Sequence, residues 1–287
     1  MPYTVEASFA AFYENINLGG EHRETANRRR DDIVSTLGKT FTIIESFSSG
    51  SIPKYTALKS HADLDVIVAL HHGKHINGKT PTQVLQGVRD ALAEWRTGAR
   101  KNGQAVTLYY KTWPNVDIVP VSRVVNDDGS VSYYNVPDSN TDTWIASRPK
   151  THAADVEKKS IDCGYNFRRI IKVIKHWNKV HGDYLQSYHI EVLALKVFSS
   201  NLDDTPWYFF QFFEQTRTLL ATNLSHELGF ADSYMSWSDR EEVLKRFDTA
   251  INKSREAWHR TYDKNNDHKG AIEMWRQIFG DKFPAYG

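Results

Sequence analysis

The stretch GSIPKYTALKSHADLDVIVAL, residues 50–70, sets a Gly-Ser pair at a fixed distance before an Asp-Leu-Asp that opens an apolar run. Val66, Ile67, Val68, Ala69 and Leu70 read as a buried strand with the two acids at its entrance. Side chains alternate along a strand, so Asp63 and Asp65 leave from one face, roughly 7 Å apart along the backbone and within reach of one metal cluster. Two like charges on one face are costly unless something cationic sits between them. An isolated Asp-x-Asp is more often a solvated turn before a strand, so the surrounding segments decide.

Immediately upstream, TFTIIESF (40–47) has the β-branched and aromatic content of a strand and ends at Ser48-Ser49-Gly50-Ser51. Ser51 is expected to cap a short helix starting at Ile52-Pro53, which would present backbone N–H groups and a hydroxyl as a phosphate site. Further back, residues 5–16 place Phe9, Phe12, Tyr13 and Ile16 at helical spacing. A charged helix follows the Asn17–Gly20 break, runs to Leu37 and stops at Gly38. Both helices are expected on the outside of a core, with Arg28 to Arg30 forming a salt-bridged solvent face beside Glu24, Asp31 and Asp32.

Downstream, HHGKHINGKTP (71–81) reads as an exposed polar loop rather than a histidine metal site. Residues 82–97 put Val84, Leu85, Val88, Leu92 and Trp95 on one helical face, packed on a sheet. Strand-like runs follow at 105–111 and 116–123, and Asp117 stands alone at the entrance of the second. A strand-end acid bonded to a backbone amide is one account of it; a third metal ligand beside Asp63 and Asp65 is the better one. Asp128-Gly129 then marks a hairpin.

From about residue 150 the period changes from 2 to 3.6, with helical segments at 160–180, 188–201, 206–224, 239–257 and 267–279. The fold class is therefore α+β. Residues 1–150 form a mixed sheet with flanking helices, residues 151–287 form a helical bundle, and a cleft is expected between them. The net charge of +1 argues against a protein that coats nucleic acid, and a lone Cys163 excludes an internal disulfide or a cysteine zinc site. No apolar run of membrane-spanning length and no signal-peptide pattern occurs, which makes a cytoplasmic location the expectation. Charge is uneven nonetheless: residues 141–182 hold nine Lys/Arg against four Asp/Glu, a balance that suits either phosphate or a solvated helix face.

Three carboxylates on adjacent strands, after a Gly-Ser phosphate turn, are what two-metal phosphoryl transfer asks for, because Mg²⁺ prefers hard oxygen ligands. Triphosphate charge also needs cations. Lys172 and Lys175 lie three apart on one helix, Ser187 stands at a helix start, and Tyr188 is placed where a base could stack. The plainer alternatives are surface lysines and a core tyrosine.

The order GS (50–51), an eleven-residue spacer, DLD (63–65) and VD (116–117) resembles the catalytic signature of the polymerase-β-type nucleotidyltransferases. The later VIKHWNK (173–179) and QSYHIEVL (186–193) are similar to the helical half of the bacterial cGAS/DncV-like branch, the CD-NTases, related there to oligoadenylate synthetases. The resemblance implies Asp63, Asp65 and Asp117 as catalytic metal ligands for two Mg²⁺ or Mn²⁺ ions, with Asp117 handling the hydroxyl proton. It implies Gly50, Ser51, Lys175 and Ser187 on the donor triphosphate, Tyr188 on its base, and Asn166 reading a base edge. The activity it implies is condensation of NTPs into a cyclic di- or trinucleotide second messenger in anti-phage (CBASS) signalling, read by a downstream effector. Template-independent synthesis of linear oligonucleotides, or RNA tailing, is the alternative. A zinc insertion and a long basic spine are absent from the sequence, so no DNA activator is expected; a monomer is.

Overall fold

The computed structural model describes residues 3–59, 63–203, 206–263 and 266–287. The chain divides into two compact units. One is made of residues 18–55 and 60–153, the other of residues 1–17, 56–59 and 154–287.

The first unit is built on a mixed sheet. Its strands are β1 (Ile43–Ser49), β2 (Leu64–Leu70), β3 (Arg100–Asn102), β4 (Ala105–Leu108), β5 (Val116–Val125), β6 (Val131–Asp138) and β7 (Thr143–Ser147). The spatial order is β1-β2-β5-β4-β3, with β6 and β7 extending from the far half of β5. Only β2 and β5 run parallel, in the register Asp65 to Asp117, Ile67 to Val119 and Ala69 to Val121. Residues 71–115 make the crossover that such a pair requires. The crossover contains helix α3 (Pro81–Trp95), started by a reciprocal Thr80/Gln83 capping box and buried along Val84, Leu85, Val88 and Leu92. Trp95, placed by its spacing on that buried face, is 42% exposed, because it ends the last turn. Between β2 and α3, the expected loop of histidines contains a short π-helical turn, His72–Ile76, in which the His75 ring accepts the Thr42 amide at 2.8 Å.

Helix α2 (Gly20–Leu37) also belongs to this unit and ends at Gly38. The expectation of a solvent-facing arginine run fails at Arg29, which is 9% exposed. Its guanidinium donates to the Thr112 carbonyl at 2.8 Å, the Thr112 hydroxyl at 2.7 Å and the Pro114 carbonyl, and it stacks over Tyr110 at 3.9 Å. The fork geometry of arginine suits this cluster of carbonyls, which a charge pattern along one helix cannot reveal.

The second unit is helical: α1 (Val5–Ile16), the C-terminal part of α4 (Pro149–Cys163), α5 (Asn166–Val180), α6 (Ser187–Val197), α7 (Trp207–Leu220), α8 (Trp237–Tyr262) and α9 (His268–Phe279). A two-residue hairpin, β8 (Ser225–His226) with β9 (Gly229–Phe230), precedes α8. The core is aromatic. Phe9 of α1 stacks on Phe209 at 5.1 Å and meets Trp275 edge-on at 5.2 Å, while Trp177 meets Phe247 at 4.9 Å. These contacts correct the expected boundary at its start. Helix α1 belongs with the C-terminal bundle and not with residues 18–153, because its Phe9 and Phe12 complete that aromatic core. Residues 56–59 join the same unit, where the Lys59 amide reaches the Ile16 carbonyl at 2.9 Å and Thr56, Ala57 and Leu58 are buried.

Candidate active site

Strand β2 and the first seven residues of β5, the part that pairs with it in parallel, are buried almost throughout, as expected for parallel strands covered on both faces. In the first seven residues of each, one position is not buried, and in both it is the second: Asp65 in β2 and Asp117 in β5. These two acids are register partners. By the alternation of a strand they share a face with Ile67, Ala69, Val119 and Val121, which belong to one apolar cluster, so the carboxylates stand at its rim. Asp63 lies just before β2 and is exposed. Partial burial of its carboxyl raises its pKa first, and the charge of Asp117 adds to the rise. Hydrogen bonds from Asn115 oppose both effects.

Gly50 closes one side of this group. Its φ is +73°, and a Cβ added there would come 1.7 Å from Asp65 Oδ2. No side chain fits in that space, so the Gly50 backbone packs directly against the Asp65 carboxylate. Ser51 follows in a turn, residues 51–55, that closes with the Tyr55 amide on the Ile52 carbonyl at 3.1 Å. The helix expected to begin at Ile52-Pro53 does not form: Tyr55 has a φ of +61°, which ends the turn after one revolution. The last spacer residues, Ser60 to Ala62, lie outside the described residues.

Two polar side chains that no motif singled out support the acids. Thr107 of β4 stands opposite Asp117 and donates its hydroxyl to Oδ1 at 2.5 Å. Asn115 accepts the Tyr110 amide on its side-chain oxygen at 3.1 Å and the Leu64 amide on its carbonyl at 3.0 Å. Thr107 falls in an ordinary strand run and Asn115 in a turn, so only the register of β4 on β5 and the hydrogen bonds of Asn115 expose their role.

The helical unit places the remaining predicted residues. Ser187 is the first residue of α6 and is exposed. Tyr188, 36% exposed, lies 5.8 Å from the His226 ring; burial raises its hydroxyl pKa, and the charges of Glu227, Glu191 and Asp155 add to this. Lys175 is neither at the surface nor turned outward. It is 4% exposed, and its ammonium donates to Glu191 at 2.7 Å and to the Thr56 hydroxyl at 3.2 Å, while Thr56 donates to Glu191 at 2.7 Å. The carboxylate that captures Lys175 was legible only as a lone charge in the apolar run HIEVLAL. Asn166, at the start of α5, is likewise buried and donates to the carbonyls of Leu202 at 3.3 Å and Asp203 at 3.0 Å. Its amide is thereby held within the helical unit. Lys172 donates to the Asn17 side chain at 2.6 Å.

The entry to α6 is held on both sides. Asn178 donates to the Leu185 carbonyl at 2.7 Å and accepts its amide at 2.9 Å. The Tyr234 hydroxyl accepts the Gln186 amide at 2.8 Å and lies 3.0 Å from His189 Nδ1. His189 is fully buried, and that burial lowers its pKa to about 4; the charge of Asp232 opposes the shift and that of Arg240 reinforces it.

A mixed sheet presenting acids at the entrances of neighbouring strands, beside a glycine turn and accompanied by a helical unit, is the polymerase-β-like nucleotidyltransferase architecture. The Second Messenger Oligonucleotide or Dinucleotide Synthetase domain (SMODS) matches residues 3–160, more than half of the chain, and the protein belongs to that family. It is similar to a probable cyclic nucleotide synthase of Bacillus cereus (strain VD146), with 26% identity over 100% of this chain and 99% of the relative. A cyclic AMP-AMP-AMP synthase of Acinetobacter sp. (strain ATCC 27244 / 9458) is 23% identical over 84% of this chain and 73% of its own. Among solved structures, Escherichia coli MS115-1 CdnC with ATP shares the fold with a TM-score of 0.78 at 17% identity, covering 98% of this chain and 99% of the other. Among the described residues no helix is long and apolar enough to cross a membrane.

Proposed function

We propose that this protein is a metal-dependent nucleotidyltransferase that joins NTPs and closes the product into a cyclic di- or trinucleotide, a second messenger for an effector in bacterial anti-phage (CBASS) signalling. The observation that carries this reading is the pairing of Asp65 with Asp117 at the uncovered position of two buried strands, in a chain of the SMODS family. The donor set fits a hard divalent cation. It consists of carboxylate oxygens, and the pKa of Asp63 is raised first by burial and then by the charge of Asp117, both of which a bound cation would offset. Asp63, Asp65 and Asp117 are the residues that would hold two Mg²⁺ or Mn²⁺ ions. When bound, such ions polarise the phosphoryl oxygens and acidify the attacking hydroxyl.

The chain's own groups do the rest. Gly50 and Ser51 offer turn backbone and a hydroxyl to the donor phosphates, Asp117 accepts or orients the proton of the attacking ribose hydroxyl, and Ser187 contacts phosphate from the start of α6. The ring of Tyr188 supplies a stacking face for the donor base. Lys175 acts at one remove, fixing α6 through Glu191. The hydroxyl oxygen bonds to the α-phosphorus and pyrophosphate leaves; the last such step, within the same molecule, closes the ring.

Incubating the purified protein with the four NTPs and Mg²⁺ or Mn²⁺, then resolving products by mass, tests this. A phosphatase-resistant cyclic oligonucleotide is the expected product. Only linear oligonucleotides, or extension of an added RNA without any cyclic product, would establish the template-independent alternative.

A further inference from the structure

We propose that Thr107 is a positioning residue for Asp117, holding one carboxylate oxygen through its hydroxyl so that the other is presented to the metal and the attacking hydroxyl. The inference rests on the reading of Asp117 as a metal ligand given above. Thr107 is 3% exposed and lies in β4 among Ala105, Val106 and Leu108, all buried. A hydroxyl in such a place costs free energy unless it finds a partner, and a valine would fill the same space without that cost. The partner it finds is Asp117: the two residues are paired across β4 and β5, and Thr107 Oγ1 lies 2.5 Å from Oδ1.

The arrangement has three physical consequences. Directly opposed strand residues have their β-carbons about 5 Å apart, which lets a short hydroxyl reach a short carboxylate without strain. The β-branch of threonine restricts χ1, so the direction of the hydroxyl is set by the strand itself and not by a flexible stem. A hydrogen bond onto a charged carboxylate is also roughly twice as strong as a neutral one, which narrows the orientations open to Asp117. Asn115 offers a parallel, since it bonds Asp63 while its own carbonyl and side-chain oxygen are tied to the Leu64 and Tyr110 amides. Partners behind metal-binding side chains are typically worth about 10-fold to 100-fold in metal affinity or activity.

The test compares Thr107→Val and Thr107→Ala, which lack the hydroxyl, with Thr107→Ser, which keeps it. Binding of Mn²⁺ alone is read by electron paramagnetic resonance in the absence of nucleotide; kcat and KM for NTP are measured separately. The hydroxyl-free variants should bind Mn²⁺ about 10-fold more weakly or worse and lose kcat by a similar factor, with KM little changed, while Thr107→Ser stays near wild type. Wild-type Mn²⁺ binding and turnover in Thr107→Val and Thr107→Ala would overturn the proposal. So would a Thr107→Ser variant as impaired as the other two, because the methyl group and not the hydroxyl would then be what matters. If Thr107→Val does not fold, the contrast between Ala and Ser decides. A wild-type protein that neither binds Mn²⁺ nor forms product removes the reading of the site itself, and that result is separable from a failure of Thr107 alone.

Discussion

The two units treat charge in opposite ways. In the sheet unit, Asp63, Asp65 and Asp117 gather like charges, and the partners seen for Asp63 and Asp117 include the neutral groups of Asn115 and Thr107. In the helical unit, Lys175 and Glu191 bury opposite charges against each other, with Thr56 bonded to both. The first arrangement concentrates negative charge, which on the function proposed above a divalent cation would relieve; the second sets its opposite charges against each other. A predicted site residue can therefore be either a group that acts on substrate or a group that holds the fold, and its electrostatic company tells which.

The strongest test of that contrast removes charge on each side. Asp63→Asn combined with Asp65→Asn should lower turnover on the order of 10³-fold or more, equivalent to several kcal/mol of lost transition-state stabilisation. Its melting temperature should be unchanged or raised, because repulsion is relieved. Product formation and calorimetry on one preparation check both; an active double mutant would falsify the metal assignment. Lys175→Met should do the reverse in kind. It leaves Glu191 buried without its cation, so stability should fall by about 3–5 kcal/mol in urea unfolding, and a second change, Glu191→Leu, should recover most of the loss. A Lys175→Met variant of wild-type stability would show that the pair is not a structural clamp.

A smaller effect sharpens the helical side. His189 has its pKa held near 4 in the folded protein, below the ordinary value of 6.5. The unfolded chain therefore takes up a proton first as pH falls, and stability present above pH 6.5 is lost on the way down to about pH 4. A shift of this size is worth about 3 kcal/mol. Urea midpoints measured at pH 7 and pH 5 should fall for the wild type and fall less for His189→Gln; equal slopes in the two proteins would place the titrating group elsewhere.

Much of the candidate site was legible because its signal is local. The Gly-Ser pair and the acids at strand entrances are runs of residues whose alternation can be read directly, and β2 forms over the predicted 64–70. What eluded the reading lies across space. Thr107 and Asn115 look like ordinary strand and turn residues until the β4–β5 register sets the first against Asp117 and hydrogen bonding ties the second to Asp63. Arg29 looks like one of three solvated arginines until Thr112 and Pro114 surround it. The missing helix after Ser51 reflects a positive φ at Tyr55, a conformation that glycine or asparagine would announce and a tyrosine does not.

By itself the sequence determined the α+β class, the acid-bearing strands and the spans of most helices, because periodicity and turn chemistry act over a few residues. Only the tertiary structure decided that α1 and residues 56–59 belong to the helical unit and that Lys175 answers to Glu191. A lysine at helical spacing reads the same whether it faces water, a phosphate or a buried carboxylate. What distinguishes these is the solvent it loses and the opposite charge it gains, and both come from residues distant in the chain.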